Sequence, residues 1–317
     1  MGTFLTNDKM SPELRARIEA SVSGRHRGDG LAPALRAGLR LVTLLLVVGT
    51  VGIVAVKWRR QTQQIDQAQA ALLADLHRGA AGWRDQVRPR VEALRKALRA
   101  AASEPYGDTL QAAQGDLDHW LARPALYVRG PVEAFRGDDG YTSAVTDSVK
   151  DAFLYCLAKP PPSRNETDLV LAVNRAYKRG AAIEEATPTV HRLHDLERAL
   201  PLLDPAFADQ IRDAALPRLA ELRQELEQAQ LSRAKAASEA ELLIYFLDEP
   251  KVPGTPSELD GASNHYVRIG IVDLSTGRHL WRRRERIDPS WISDTNRGHL
   301  AVGLDACRLA HDLRAEG

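Results

Sequence analysis

The chain has 317 residues, of which 44% are hydrophobic, 27% charged and 5% aromatic; 43 Lys plus Arg balance 42 Asp plus Glu to a net charge of +1. That balance argues against a dedicated nucleic-acid protein with a broad basic surface, and the apolar fraction against a disordered chain. Two cysteines exclude a disulfide-dense scaffold and a four-cysteine zinc site.

Residues 1–36 are polar and charged, with one short helix expected over 12–21 between Ser11 and Gly24. This tail is too small to be a signalling output domain. Residues 41–56 read LVTLLLVVGTVGIVAV without a charge. Extended by Ala37 to Leu39, with Arg40 and Lys57 able to snorkel and Trp58 suited to the interface, the run predicts a transmembrane helix over 37–57 that contacts the lipid bilayer. Some forty residues precede the run and KWRRQ follows it, the pattern of an uncleaved anchor rather than a signal peptide. Arg25, Arg27, Arg36 and Arg40 stand before it, and Lys57, Arg59 and Arg60 after it. Four against three barely decides the orientation; because a short polar tail is the easier part to retain, the N-terminus is expected in the cytoplasm and residues 61–317 outside, and the Ala- and Arg-rich composition suggests the inner membrane of a bacterium.

After the span, Ile65, Leu72, Leu76, Trp83, Val87, Val91, Leu94 and Leu98 form one helical stripe with an eleven-residue recurrence. This predicts a nearly straight helix with a constant face for a partner, as in a coiled coil, weakened at Gly79, Gly82 and Pro89. It serves equally as a rigid stalk or as the first helix of a bundle. Further helices are expected over 110–121, 144–158 (Val145, Val149, Phe153 and Cys156 inward), 166–179 and 188–200. Another, over 204–237, is capped by Asp204 and started by Pro205; Pro217 should bend it, and it should pack antiparallel to 62–100.

At Glu241 the period changes. LLIYFL predicts a buried strand, and residues 266–274 and 278–287 flank Ser275-Thr276-Gly277 as a hairpin. A last helix over 296–314 carries Leu300, Leu304 and Cys307 on one stripe. The expected fold is therefore mainly α. It has a tail (1–36), a transmembrane helix (37–57), a helical stalk or bundle (58–240) and a small α/β module (241–317), the last a three-stranded antiparallel sheet under one helix.

No catalytic, cofactor-binding or metal-binding set is expected: P-loop, G-x-G-x-x-G, G-x-S-x-G and H-E-x-x-H are all lacking. His191 and His194 have a metal-compatible spacing but no further ligands, and Ser232-Arg233-Ala234-Lys235 fits S-x-x-K inside a charged helix; both read as surface features. The hairpin crowds Arg278, Arg282, Arg283, Arg284 and Arg286 beside Trp281. These either grip an anionic partner, with Trp281 stacking on a sugar or base, or form a solvated strand that discourages edge pairing. Cys156 and Cys307 both sit on inward stripes, where they form either a disulfide or two small buried hydrophobes.

The stretch VRIGIVDLSTGRHLW resembles the strand, turn and strand ending in D-x-x-T-G-x-x-x-W of several bacterial envelope lipoproteins and propeller-type proteins, which implies the envelope. The order of anchor, helices and terminal sheet is similar in outline to membrane-anchored assembly subunits of secretion and pilus machines. The expected function is a non-enzymatic scaffold or interaction protein of the bacterial envelope, with a protein partner or self-association and no specific nucleic-acid binding. The alternative is an extracytoplasmic sensory or ligand-binding module, and an enzyme with a spatially assembled site is a third possibility.

Overall fold

A computed structural model describes residues 33–317 except 104, 108, 111–115, 179–180, 251–262 and 317, together with residues 13, 16 and 17. The helix expected over 12–21 lies, but for those three residues, outside the described residues. Two units are distinguished, Met1–Asp66 and Gln67–Gly317.

In the first unit, helix α1 (Pro33–Ala80) contains the apolar run, the one segment among the described residues long and apolar enough to cross a membrane. From Leu41 to Val56 its large apolar side chains are exposed all round, and Thr50 turns its hydroxyl back onto the Leu46 and Val47 carbonyls. An apolar surface on every face with no unsatisfied hydroxyl is what a lipid environment demands.

In the second unit the last turns of α1 bury Leu72, Leu76 and Ala80. The chain then breaks at Gly82, which takes φ +82°, and restarts as α2 (Arg84–Ala102). The expected continuous helix is thus two, although Trp83, Val87, Val91, Leu94 and Leu98 continue the buried stripe across the break. Glycine allows the turn because it pays no Cβ penalty at positive φ. The helices that follow are α3 (Asp116–Ala122), α4 (Val132–Arg136), α5 (Tyr141–Asp147), α6 (Ala152–Ala158), α7 (Glu166–Lys178), α8 (Ala182–Ala186) and α9 (Leu193–Leu203). After them come α10 (Pro205–Asp213), α11 (Leu216–Ala229), α12 (Leu231–Ser238) and α13 (Asp294–Glu316).

The helix expected over 144–158 is divided at Ser148–Asp151, leaving Val149 exposed at 55%. The one expected over 204–237 becomes three, ending first at Ala214 and again at Gln230, a non-glycine residue at φ 47°. Asp204 does cap its start, accepting from the Ala206 amide.

The sheet has five strands rather than three. Strands β1 (Ala125–Pro131), β2 (Val190–Arg192), β3 (Leu242–Asp248), β4 (His265–Asp273) and β5 (His279–Ile287) lie in the order β2-β1-β3-β4-β5. The first three are mutually parallel; β4 and β5 are the expected antiparallel hairpin. All seven residues of β1 pair with β3, so the boundary expected at 240 falls inside one compact unit.

Tyr127, Ile244, Phe246, Ile269, Ile271 and Trp281 point into a core closed by α6, α7 and α13, while α2 covers β3 and β4 from the other side. Helices on both faces explain why β3 is buried at every position and reads as an unbroken apolar run. The same double cover explains why β1 was not legible: Ala-Leu-Tyr-Val has no alternation, and β2, three residues long, is the lead-in to a helix.

Candidate functional site

The parallel strands β1 and β3 end side by side, Pro131 opposite Asp248. Beyond the carboxyl ends of parallel strands the helices diverge and leave a crevice, the usual position of ligand sites in such sheets. Here a cavity of about 480 Å³ opens beside Arg129, Gly130 and Pro131, with Ser143, Ala144 and Asp147 from α5, Ser148, Val149 and Asp151 from the following turn, Tyr177 from α7 and Val302 from α13.

Its floor is a buried ionic network. Arg129 donates from Nη1 to Asp151 Oδ2 (2.7 Å), and from Nε and Nη2 to the two oxygens of Asp248 (3.3 Å each), with its guanidinium over the Phe246 ring at 4.2 Å. Asp151 Oδ1 also accepts the Tyr127 hydroxyl (3.0 Å) and the Phe153 and Leu154 amides, which makes it the N-cap of α6. Asp248 is 0% exposed, and two carboxylates beside one guanidinium in such a place need further cationic compensation.

His265 supplies it. Its Nε2 lies 3.3 Å from Asp248 Oδ1 and its Nδ1 2.8 Å from the Ser263 carbonyl. Both ring nitrogens face acceptors, so only the imidazolium satisfies both. Burial pulls its pKa down, but the bonds to Asp248 and Ser263 outweigh it and hold the pKa above 6.5. Burial likewise opposes the charge on Arg129, which Asp248 and Asp151 more than restore. Tyr127 is held well above its ordinary value by burial and then by the Asp151 charge, and stays a phenol.

The arginines of the hairpin do not form one patch. Register places Arg282, Arg284 and Arg286 on one face and Arg283 with Trp281 on the other. Arg284 is committed to Glu249, donating from Nε to Oε1 (2.9 Å) and from Nη2 to Oε2 (2.6 Å). Arg268, 1% exposed, donates to the same carboxylate and to the Ala101 and Ser103 carbonyls at the end of α2. Burial pushes Glu249 upward, yet its two arginines leave it below the usual carboxylate range. Arg283 bonds to Glu285, Arg282 lies over the bare Cα of Gly107, and Arg278 and Arg286 are exposed. Trp281, 3% exposed, is part of the core and has no free face for a sugar or base.

Arg283 and Arg286 do border a second cavity, of about 360 Å³, with Arg164, Arg308 and Asp305. Asp305 accepts from Trp291 Nε1 (2.9 Å), and burial raises its pKa to about 6.

Cys156 of α6 and Cys307 of α13 are joined by a disulfide across the core. His191 stands on β2 and His194 on α9, and among the described residues no group of His, Cys, Asp and Glu is arranged to hold a metal ion. Sequence reasoning missed Arg129, Asp151, Asp248, His265 and Tyr177. The one local signal was a charge closing an apolar strand, Arg129 in ALYVRGP and Asp248 after LLIYFL.

The class defined is a disulfide-bonded unit of helices on both sides of a mixed five-stranded sheet, in a chain that also carries a membrane-length apolar helix. No protein-family model, no curated protein and no solved structure matches this chain.

Proposed function

We propose that this protein is a non-enzymatic, single-pass interaction protein of the bacterial inner membrane, with the unit from Gln67 onward on the extracytoplasmic side, where it meets envelope partners or further copies of itself. The observation that carries the reading is the Cys156–Cys307 disulfide in a chain that also holds an apolar helix of membrane length. Disulfides persist in the periplasm and are reduced in the cytosol. At depth beside β1 the carboxylates are engaged, Asp151 by Arg129, Tyr127 and the α6 amides and Asp248 by Arg129 and His265, which favours an interaction role over acid–base catalysis at that site. Protease treatment of intact spheroplasts carrying a C-terminal tag tests the topology. Digestion of the tag, with a cytosolic control intact, is the expected result; protection of the tag overturns it.

A second reading, an extracytoplasmic ligand-binding module, is favoured by the cavity at the carboxyl end of β1, which combines apolar walls with convergent polar groups.

A further inference from the structure

The polar groups facing the 480 Å³ cavity differ in what bonding capacity they have left. Arg129 has five N–H groups and spends three, one on Asp151 and two on Asp248, which leaves one on each Nη. Ser148 Oγ accepts the Arg129 amide (2.8 Å) and Tyr177 Oη accepts the Ala152 amide (3.2 Å), so each hydroxyl still has its proton to give. Asp151 is spent on four donors, and Asp147, at the rim, already accepts from Ser143 (3.1 Å). The unspent capacity at depth is therefore chiefly donor capacity, two N–H groups and two hydroxyl protons, beside one further lone pair on each hydroxyl and the rim carboxylate of Asp147.

Charge narrows the ligand further. Arg129 and the His265 imidazolium are matched by Asp151 and Asp248, and Asp147 adds another negative charge at the mouth, so a full anion meets no net positive field. A cation would meet the spare N–H groups of Arg129 at depth, where Asp151 is already spent on four donors. The remaining walls (Pro131, Ala134, Ala144, Val149, Val302) are apolar.

We propose that this cavity binds a small, electrically neutral molecule with an apolar body and carbonyl oxygens, the oxygens accepting from Arg129, Ser148 and Tyr177 and the body lying against Val149 and Val302. The proposal rests on the second reading above, that the unit binds a ligand, and adds the ligand's chemical class.

The test uses the full-length protein in lipid nanodiscs and three probes of matched shape: N-acetyl-leucine N-methylamide (neutral), N-acetyl-leucine (anionic at neutral pH) and leucine N-methylamide (cationic), with Kd from calorimetry and ligand-observed NMR. The neutral amide should bind roughly tenfold more tightly than either charged analogue, since each charged form carries an uncompensated charge into the site. Tyr177→Phe should weaken the neutral amide by roughly fivefold, the loss of one hydrogen bond. Ser143→Phe, an exposed helix position at the cavity wall, should abolish binding without changing Tm. Equal or tighter binding of a charged probe overturns the ligand class and leaves the binding reading standing. Silence from all three probes up to about 10 mM, well above the Kd of a fragment-sized ligand, overturns both. Binding that survives Ser143→Phe places the ligand elsewhere and overturns the site.

Discussion

Arg129 joins two buried carboxylates, Asp151 and Asp248, in one network. It bonds to both, and removing it would take a cation away from two buried carboxylates, of which Asp248 is 0% exposed. Breaking a buried pair by deleting one partner costs about 3–5 kcal/mol, because the survivor keeps its desolvation penalty. Arg129→Met should therefore lower the unfolding free energy by about that amount in urea titrations. Two other residues each add a pH-dependent contribution. Asp305 has its pKa raised from 3.8 to about 6, chiefly by burial, so the fold favours its protonated form. That contribution is complete below about pH 3.8 and is lost as pH rises through about 6. His265, also raised, contributes below its unfolded value of 6.5 and loses that contribution as pH climbs through its higher folded value. Both effects have the same sign. His191, His194 and His279, lowered chiefly by burial, contribute with the opposite sign, so the two residues are read by difference from the parent protein: Asp305→Asn should remove a loss of Tm that develops between about pH 3.8 and about 6, and His265→Gln one that develops above 6.5. Melts of the parent and both variants across pH check this, and a difference of opposite sign refutes it. In the sequence Arg129 and Asp248 are visible only as charges that end apolar runs; that they meet depends on β1 pairing with β3 across more than a hundred intervening residues.

Among the elements, α6 and α13 are held by chemistry as well as by packing. Cys156 and Cys307 are 151 residues apart, and a cross-link that closes so long a loop removes much chain entropy from the unfolded state. The entropic model puts this at about 5 kcal/mol. Reduction, or the pair Cys156→Ala and Cys307→Ala, should lower stability by up to about that figure, read as a drop in Tm with and without reductant. The inward positions of both cysteines follow from helical spacing alone; their juxtaposition needed α6 and α13 to pack on the same face of the sheet. Broken helices show the reverse case. Period 3.6 runs unchanged through Gly82, because a stripe of apolar side chains stays buried whether or not the backbone under it is one helix. The stripe reports which side chains are inside. It does not report where the hydrogen-bond ladder stops.

For the whole molecule, the division at Asp66 and Gln67 carries a prediction. The second unit holds the sheet, both cavities and the disulfide, and its apolar side chains are covered on both faces of the sheet. The exposed apolar run lies wholly in the first unit. A chain beginning at Gln67 and exported to the periplasm should therefore be recovered in the soluble fraction, with the disulfide formed and a single unfolding transition. Full-length protein should stay with the membrane after a high-salt wash. Fractionation and non-reducing gels decide this, and a truncated chain that remains membrane-bound would place a second lipid contact beyond residue 66.

What the sequence determined by itself was local: an apolar helix of membrane length, the buried stripe from Leu72 to Leu98, the Asp204 cap, the run LLIYFL and the hairpin around Ser275-Thr276-Gly277. Each rests on periodicity or turn chemistry within some twenty residues, which side-chain pattern encodes directly. The tertiary structure decided everything that depends on long separations. It placed β1 beside β3, turning an expected bundle and cap into one five-stranded unit. It paired Arg284 with Glu249 and buried Trp281, dispersing an arginine cluster that looked continuous in sequence. It also gathered Arg129, Asp151, Asp248 and His265 under a cavity. A strand buried on both faces has no alternation to read, and a buried charge reveals its partner only when the chain has folded to bring that partner within hydrogen-bonding distance.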